Sequence, residues 1–249
     1  MCLLALFFRT VDDAPFIVGA NREELYTRGG EPPRILDDPC HAVAGVDPQA
    51  EGTWLGINER GVLVAITNRL KSQIPPQPRS RGLLVGDLLC CASAASAAEL
   101  AARELDRNRY GGCNIVCVDR DYAVVLHGGD WLRVRPLPPG LHVLTAHDVN
   151  DASDRRIGHA LWWLGQRGYA NGEDCVTALK ELCGQPGNGD PPMCLHGKTG
   201  GTLSSSVIMV NNTPARSKYL HAQGPPDKTP YADYSHLLKQ VLSTGASRG

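Results

Sequence analysis

"TWLGINERGVLVAITNRL" (residues 53–70) holds two apolar runs rich in β-branched residues, split by the turn-forming "NERG" at 58–61. This pattern predicts an antiparallel strand pair closed by a short turn. Working outward, more runs of the same kind appear. Upstream, residues 2–8 and "FIVGA" (16–20) form a first strand pair around "TVDDAP", and "HAVAG" (41–45) reads as a further strand. Downstream, "CNIVCVDRDYAVVLHG" (113–128) reads as a hairpin turning at "DRD", followed by "WLRVRP", "LHVLTA" (141–146) and "TLSSSVIMV" (202–210). Between them, "RGLLVGDLLCCASAASAAELAAREL" has apolar residues three and four apart and no proline, which predicts helices over 81–91 and 95–106. Helices are also predicted near 154–167, near 172–184 and in "YADYSHLLKQVL". "NREELYTRGGEPP" and "CGQPGNGDPPM" read as loops. Strands gathered into hairpins, rather than alternating singly with helices, predict antiparallel sheets with helices outside them, a layered α+β fold. With no linker and no repeat, the 249 residues read as one domain, 1–249.

Composition narrows the function. Hydrophobic residues make up 42%, charged residues 20%, and the formal net charge is -1, which excludes a disordered chain and gives no basic excess for nucleic acid. No run approaches the roughly 20 apolar residues of a membrane-spanning helix. The apolar start has no positive segment ahead of it and ends in "RTVDD", so no secretory signal is expected. Nine cysteines without such a signal predict reduced thiols and a cytoplasmic protein.

Three readings compete for Cys2: a lipidated cysteine, a buried apolar strand end, or a nucleophile exposed when Met1 is removed. Lipidation needs a signal that is not expected here. As an N-terminal residue, Cys2 would carry both a thiol and an α-amine able to take the thiol's proton. "ANREELYTR" places Asn21, Arg22, Glu23 and Glu24 after the second strand, where an amide, a cation and carboxylates can orient one another. "ITNRL" presents Asn68 and Arg69 at another strand end, and an Asn amide can donate to an oxyanion. Cys175, Cys183, Cys194 and His196 show no zinc spacing, so no metal is expected. Cys90 and Cys91 are expected in a helix core. His127, His142 and His147 read as hydrogen-bonded structural histidines. The glycine pairs make no phosphate loop.

Taken in order, Cys2, "ANREE", "GTWLGINERGVLVAITNR", "RSRGLLVGDLL", "YGGCNIVCVDRD" and "GGTLSSSVIMV" resemble the NRDE family, also called the transport and Golgi organisation protein 2 family. The resemblance spans roughly residues 2–210. It implies an N-terminal-nucleophile (Ntn) hydrolase-like, four-layer αββα sandwich of antiparallel sheets. It also implies cleavage or transfer at a carbon–nitrogen amide bond of a small molecule. Cys2 would be the nucleophile, with Arg22 and Asn68 catalytic beside it. Asn21, Glu23, Glu24, Trp54 and Arg69 would bind substrate, and no cofactor would be needed. The alternative on the same fold is a binding or trafficking protein for haem, a lipid or an acyl-CoA. Three departures imply a changed substrate or a weakened site. Glu23 stands where the family motif has Asp, Gly200 and Leu203 stand where it has Tyr and Arg, and Thr145 and Ala146 replace Ser-Asn. Positive charge from Arg22 and from a neighbouring ammonium is expected to lower the Cys2 thiol and make it the first of the nine to react.

Overall fold

The computed structural model describes residues 2–37 and 39–246, and the fate of Met1 lies outside them. Thirteen strands and five α-helices are present among these residues. The chain begins β1 (Leu3–Val11), β2 (Ala14–Leu25), β3 (Glu31–Leu36), β4 (Ala42–Val46), β5 (Leu55–Asn58) and β6 (Leu63–Asn68). Two helices follow, α1 (Arg81–Leu89) and α2 (Ala94–Asp106). Next come β7 (Cys113–Val118), β8 (Ala123–Gly128), β9 (Leu132–Pro136) and β10 (Gly140–Leu144). The chain closes through α3 (Arg155–Gly165), α4 (Gly172–Cys183), β11 (Gly200–Val210), β12 (Lys218–Ala222), β13 (Ala232–Asp233) and α5 (Ser235–Ala246).

These elements form two compact units, each built from two chain segments. Among the described residues, one is 2–29 with Pro139–Lys239; the other is Gly30–Pro138 with 240–246. The first unit holds a six-stranded sheet in the order β10-β1-β2-β11-β12-β13, with every pairing antiparallel. Leu3, Ala5, Phe7 and Ile17 project from one face of this sheet. They pack with Val207 and Met209 against Ile157, Ala160 and Leu164 of α3 and Val176, Leu179 and Leu182 of α4. Gly19 permits this contact, because a Cβ there would lie 3.0 Å from the Leu179 side chain.

The second unit holds a seven-stranded antiparallel sheet in the order β3-β4-β5-β6-β7-β8-β9. Its core joins Val62, Val64, Ile115 and Leu126 to Leu84 and Leu88 of α1 and to Ala94, Ala97 and Ala101 of α2. The alanine run of α2 therefore packs into this core. Small side chains bring a helix close to a pleated surface at little cost in side-chain entropy. Each unit supplies one β layer and one α layer, as the hairpin pattern predicted.

Three expectations need correcting. "NREEL" is not loop but the end of a twelve-residue strand, with Asn21, Arg22 and Glu23 buried, because partners distant in sequence satisfy its polar groups. "EPP" is also strand rather than loop, continuous with the "RIL" that follows it. Together they form β3 at the sheet edge, where prolines are tolerated because their missing N–H breaks no ladder bond, and its register shifts between Glu31 and Arg34. Cys90 and Cys91 are not in a helix: α1 stops at Leu89, Cys90 is exposed, and Cys91 packs, partly buried, against the core from the turn beyond the helix.

The helix end and the hairpin turn are secured by one residue. Asn58 is buried at 3% exposure; its Nδ2 donates to the carbonyls of Leu89 (2.7 Å) and Cys91 (2.9 Å), and its Oδ1 accepts from the N–H of Arg60 (2.9 Å) and Val62 (3.0 Å). Truncation strands several of these groups away from water. Asn58→Ala should therefore cost about 3 kcal/mol, read as a lower midpoint in equilibrium urea unfolding.

Candidate functional site

The register of the first sheet builds the site. Leu3 lies opposite Asn21, so one further rung brings Cys2 to the level of Arg22. On the other side of β2, Arg22 faces Ser204, Asn21 faces Ser205 and Glu23 faces Thr202. Side chains alternate across a strand, which sends Arg22 to one face and Asn21 with Glu23 to the helix-covered face. There, Asn21 Nδ2 donates to the carbonyls of Cys183 (2.9 Å) and Met193 (3.0 Å). Glu23 accepts two bonds from the Arg156 guanidinium, at 2.5 and 3.2 Å, and Arg156 also donates to the Met193 carbonyl at 3.1 Å. Arg22 donates to the carbonyl of Gly29.

Burial governs the electrostatics. It pushes the Cys2 thiol up from its ordinary value, and the Glu23 carboxylate adds to the rise. The Glu23 N–H, which donates to the sulfur, and the Arg22 guanidinium offset it only in part. Arg22 does pull the thiol down as expected, but the net direction is upward, because desolvation outweighs one neighbouring cation. Burial likewise raises the Glu23 carboxyl, against the pull of Arg156. Glu24 is more open; its Oε1 accepts from the Leu25 N–H at 2.9 Å. Glu23 and Glu24 line a cleft of about 460 Å³ with Leu25, Pro192, Leu195 and His196.

The remaining candidates lie in the second unit. Asn68 is half-buried and closes β6 opposite Cys113. Arg69 donates to Asn114 Oδ1 at 3.2 Å, which also meets His127 Nδ1 at 2.8 Å, while Asn114 Nδ2 donates to Thr67 at 3.2 Å. Trp54 packs, partly buried, against the core formed with α1 and α2. His127 and His142 are buried and hydrogen-bonded, His142 through Asn150 at 3.0 Å. Cys175 and Cys183 are core residues of α4, whereas Cys194 and His196 lie beside Asp227. Sequence reasoning missed Arg156, Asn114 and the serines of β11. The available signal was "SSS" inside an otherwise apolar strand, marking a polar strip across the sheet.

Residues 1–169 match the family model described as Transport and Golgi organisation 2. The mouse transport and Golgi organization 2 homolog is 35% identical over 106 residues, and the human one 34%. Each match covers 41% of this chain and 38% of the relative, so the aligned part of the chain spans under two-fifths of these relatives' length. Among solved structures, a Caenorhabditis elegans N-acylethanolamine-hydrolyzing acid amidase ortholog superposes with a TM-score of 0.59 at 14% identity, covering 83% of this chain and 92% of its own. Penicillin V acylase from Agrobacterium tumefaciens gives 0.55 at 11% identity, covering 94% and 86%. A conjugated bile acid hydrolase from Clostridium perfringens gives 0.52 at 13%, covering 95% and 93%. At such identities the likeness is one of fold, that of the Ntn hydrolases.

The thiol electrostatics make a signed prediction for protein that retains Met1. Iodoacetamide should label exposed Cys90 before Cys2. Removing a negative neighbour favours the thiolate, so Glu23→Gln should speed Cys2 labelling at fixed pH. Arg22→Ala should slow it. Peptide mapping over time reads both signs.

Proposed function

The chain belongs to the Transport and Golgi organisation 2 family, and from that premise we propose that it is an N-terminal cysteine amidohydrolase or acyltransferase, acting as a single domain over residues 1–249. Its reaction is at the carbon–nitrogen amide bond of a small molecule. The observation that carries this reading is the register that sets Cys2, one residue ahead of β1, level with the buried Arg22.

Removal of Met1 leaves Cys2 with an α-amine whose pKa lies near about 7.7–8.0. That amine takes the thiol proton, which answers the suppression of the thiol by burial. The thiolate attacks the amide carbonyl, and Asn68 donates to the oxyanion. The carbon–nitrogen bond breaks, the ammonium protonates the departing amine, and a thioester remains. Water, deprotonated by the same amine, attacks the thioester and releases the acid; a second amine in its place gives acyl transfer. Arg22 holds positive charge beside the thiolate. Asn21 and Glu23, tied to Met193 and Arg156, position β2, while Glu24, Trp54 and Arg69 meet the substrate.

The fold neighbours' names concern an N-acylethanolamine, penicillin V and conjugated bile acids, each an acyl group joined to an amine by an amide. The substrate class proposed is therefore an N-acylated small amine with an apolar acyl part. Leu203, at the register shift in β11, removes the family's arginine there and favours a head group without a carboxylate.

Intact mass and a panel of N-acyl amides test this. The active protein should be lighter by one methionine, Cys2→Ala should abolish turnover, and Asn68→Ala should lower kcat by about 10²–10³-fold with KM little changed. Turnover that survives Cys2→Ala would sink the proposal. Haem or acyl-CoA binding at equal affinity in both proteins, with turnover in neither, would establish the trafficking alternative.

A further inference from the structure

Away from Cys2, a second cluster of chemistry-bearing side chains sits in the loops after α4 and β12. Cys194 Sγ lies 3.2 Å from Asp227 Oδ1 and 3.8 Å from His196 Nε2, and His196 Nε2 lies 2.9 Å from Asp227 Oδ2. All three donor atoms fall within 4.8 Å of one another. Tetrahedral zinc holds sulfur at about 2.3 Å and nitrogen or oxygen at about 2.0–2.2 Å, which sets neighbouring donors roughly 3.3–3.6 Å apart. The three observed separations straddle that range, so small side-chain adjustments would seat an ion.

A nucleophile–base–acid relay is a poorer account. In such a relay the imidazole stands between thiol and carboxylate, using a different nitrogen for each. Here Asp227 receives both the thiol and the imidazole, and His196 turns the same Nε2 toward both partners. Three donors converging on one point describe a ligand set.

The backbone holds this set in place. Cys194 N–H donates to the Gln185 carbonyl at 2.9 Å; Leu195 N–H donates to Thr202 Oγ1 at 2.9 Å, and Thr202 N–H returns to the Leu195 carbonyl at 2.8 Å. Gly201 is required by that closure, since a Cβ would meet the Leu195 carbonyl at 2.4 Å. Asp227 sits in a turn whose Lys228 and Thr229 N–H groups both donate to the Pro225 carbonyl. Cys194 is 1% exposed, while the His196 side chain is 34% exposed, so the set is open on one side.

We propose that Cys194, His196 and Asp227 bind a divalent, borderline-soft metal ion, zinc foremost, with the fourth coordination position left to water or an exogenous ligand. A thiolate, a carboxylate and a neutral imidazole balance a dication. The thiolate disfavours calcium and magnesium, which take oxygen donors. Coordination requires the Cys194 thiol to release its proton to solvent. The ion ties the 193–201 loop to the turn at 225–229 and so steadies the Met193 carbonyl, the shared acceptor of Asn21 and Arg156. All three ligands lie beyond residues 1–169, the stretch the family model matches.

Cobalt(II) titration of the full chain, reduced and stripped with chelator, tests the site. One equivalent should produce tetrahedral visible bands and a thiolate-to-cobalt charge-transfer band, both lost on adding zinc. Cys194→Ser should remove the charge-transfer band while Cys90→Ser keeps it. His196→Ala, a change at a part-exposed side chain, should weaken cobalt binding by about 100-fold, at least what losing an outer-shell partner costs. A missing charge-transfer band at one equivalent, its persistence in Cys194→Ser, or unchanged affinity in His196→Ala would overturn the assignment.

Discussion

The guanidinium of Arg156, side-chain exposure 12%, is clasped by the carboxylate of Glu23, exposure 2%, and by the carbonyl of Met193. An ion pair taken this far out of water gains little net stability, yet removing one partner costs about 3–5 kcal/mol because the other charge is stranded. Its effect here is to fix positions. Glu23 is on β2, Arg156 opens α3, and Met193 follows α4, so one bonded group links strand, helix and loop. Asn21 repeats the link two residues earlier through the carbonyls of Cys183 and Met193. With β2 held from its helix-covered side, the alternation of the strand leaves Arg22 no choice of face, and Arg22 arrives at the level of Cys2.

The same clasp sets a tension at the thiol. Glu23 must keep its charge to hold Arg156, and that charge opposes ionisation of Cys2. A buried, suppressed thiol is a poor nucleophile in a chain that retains Met1. It becomes a workable one only if a base is brought within the same residue, which is what a freed α-amine provides. The carboxylate that fixes the position of β2 thus adds to the suppression that burial imposes on the unprocessed thiol.

Local patterns in the sequence reveal the hairpin at 53–70, the helices of both units and most strands, because an apolar period of two or near four is written over a few neighbouring residues. What they conceal depends on distant partners. Asn21, Arg22 and Glu23 look like loop until β11 and Arg156 arrive from more than 130 residues away to bury them. Cys90 looks like core until Asn58 takes the carbonyls of Leu89 and Cys91 on either side of it, at the end of α1. Cys194 and His196 acquire a third donor only because β12 returns the chain to them with Asp227. The acidity of Cys2 is concealed for a related reason: charge neighbours can be counted along a sequence, whereas desolvation depends on the whole packed unit.

The margins of the seven-stranded sheet carry a different consequence. One margin is β3, whose Pro32 and Pro33 have no N–H to offer; the other is β9, where Arg133, Arg135 and Pro136 are exposed. A strand from a second copy approaching either side meets missing donors or positive charge where it needs an orderly row of hydrogen bonds. This sheet is thereby protected from growing by addition of like chains, a safeguard in a crowded solution and during synthesis, when many half-folded copies stand close together.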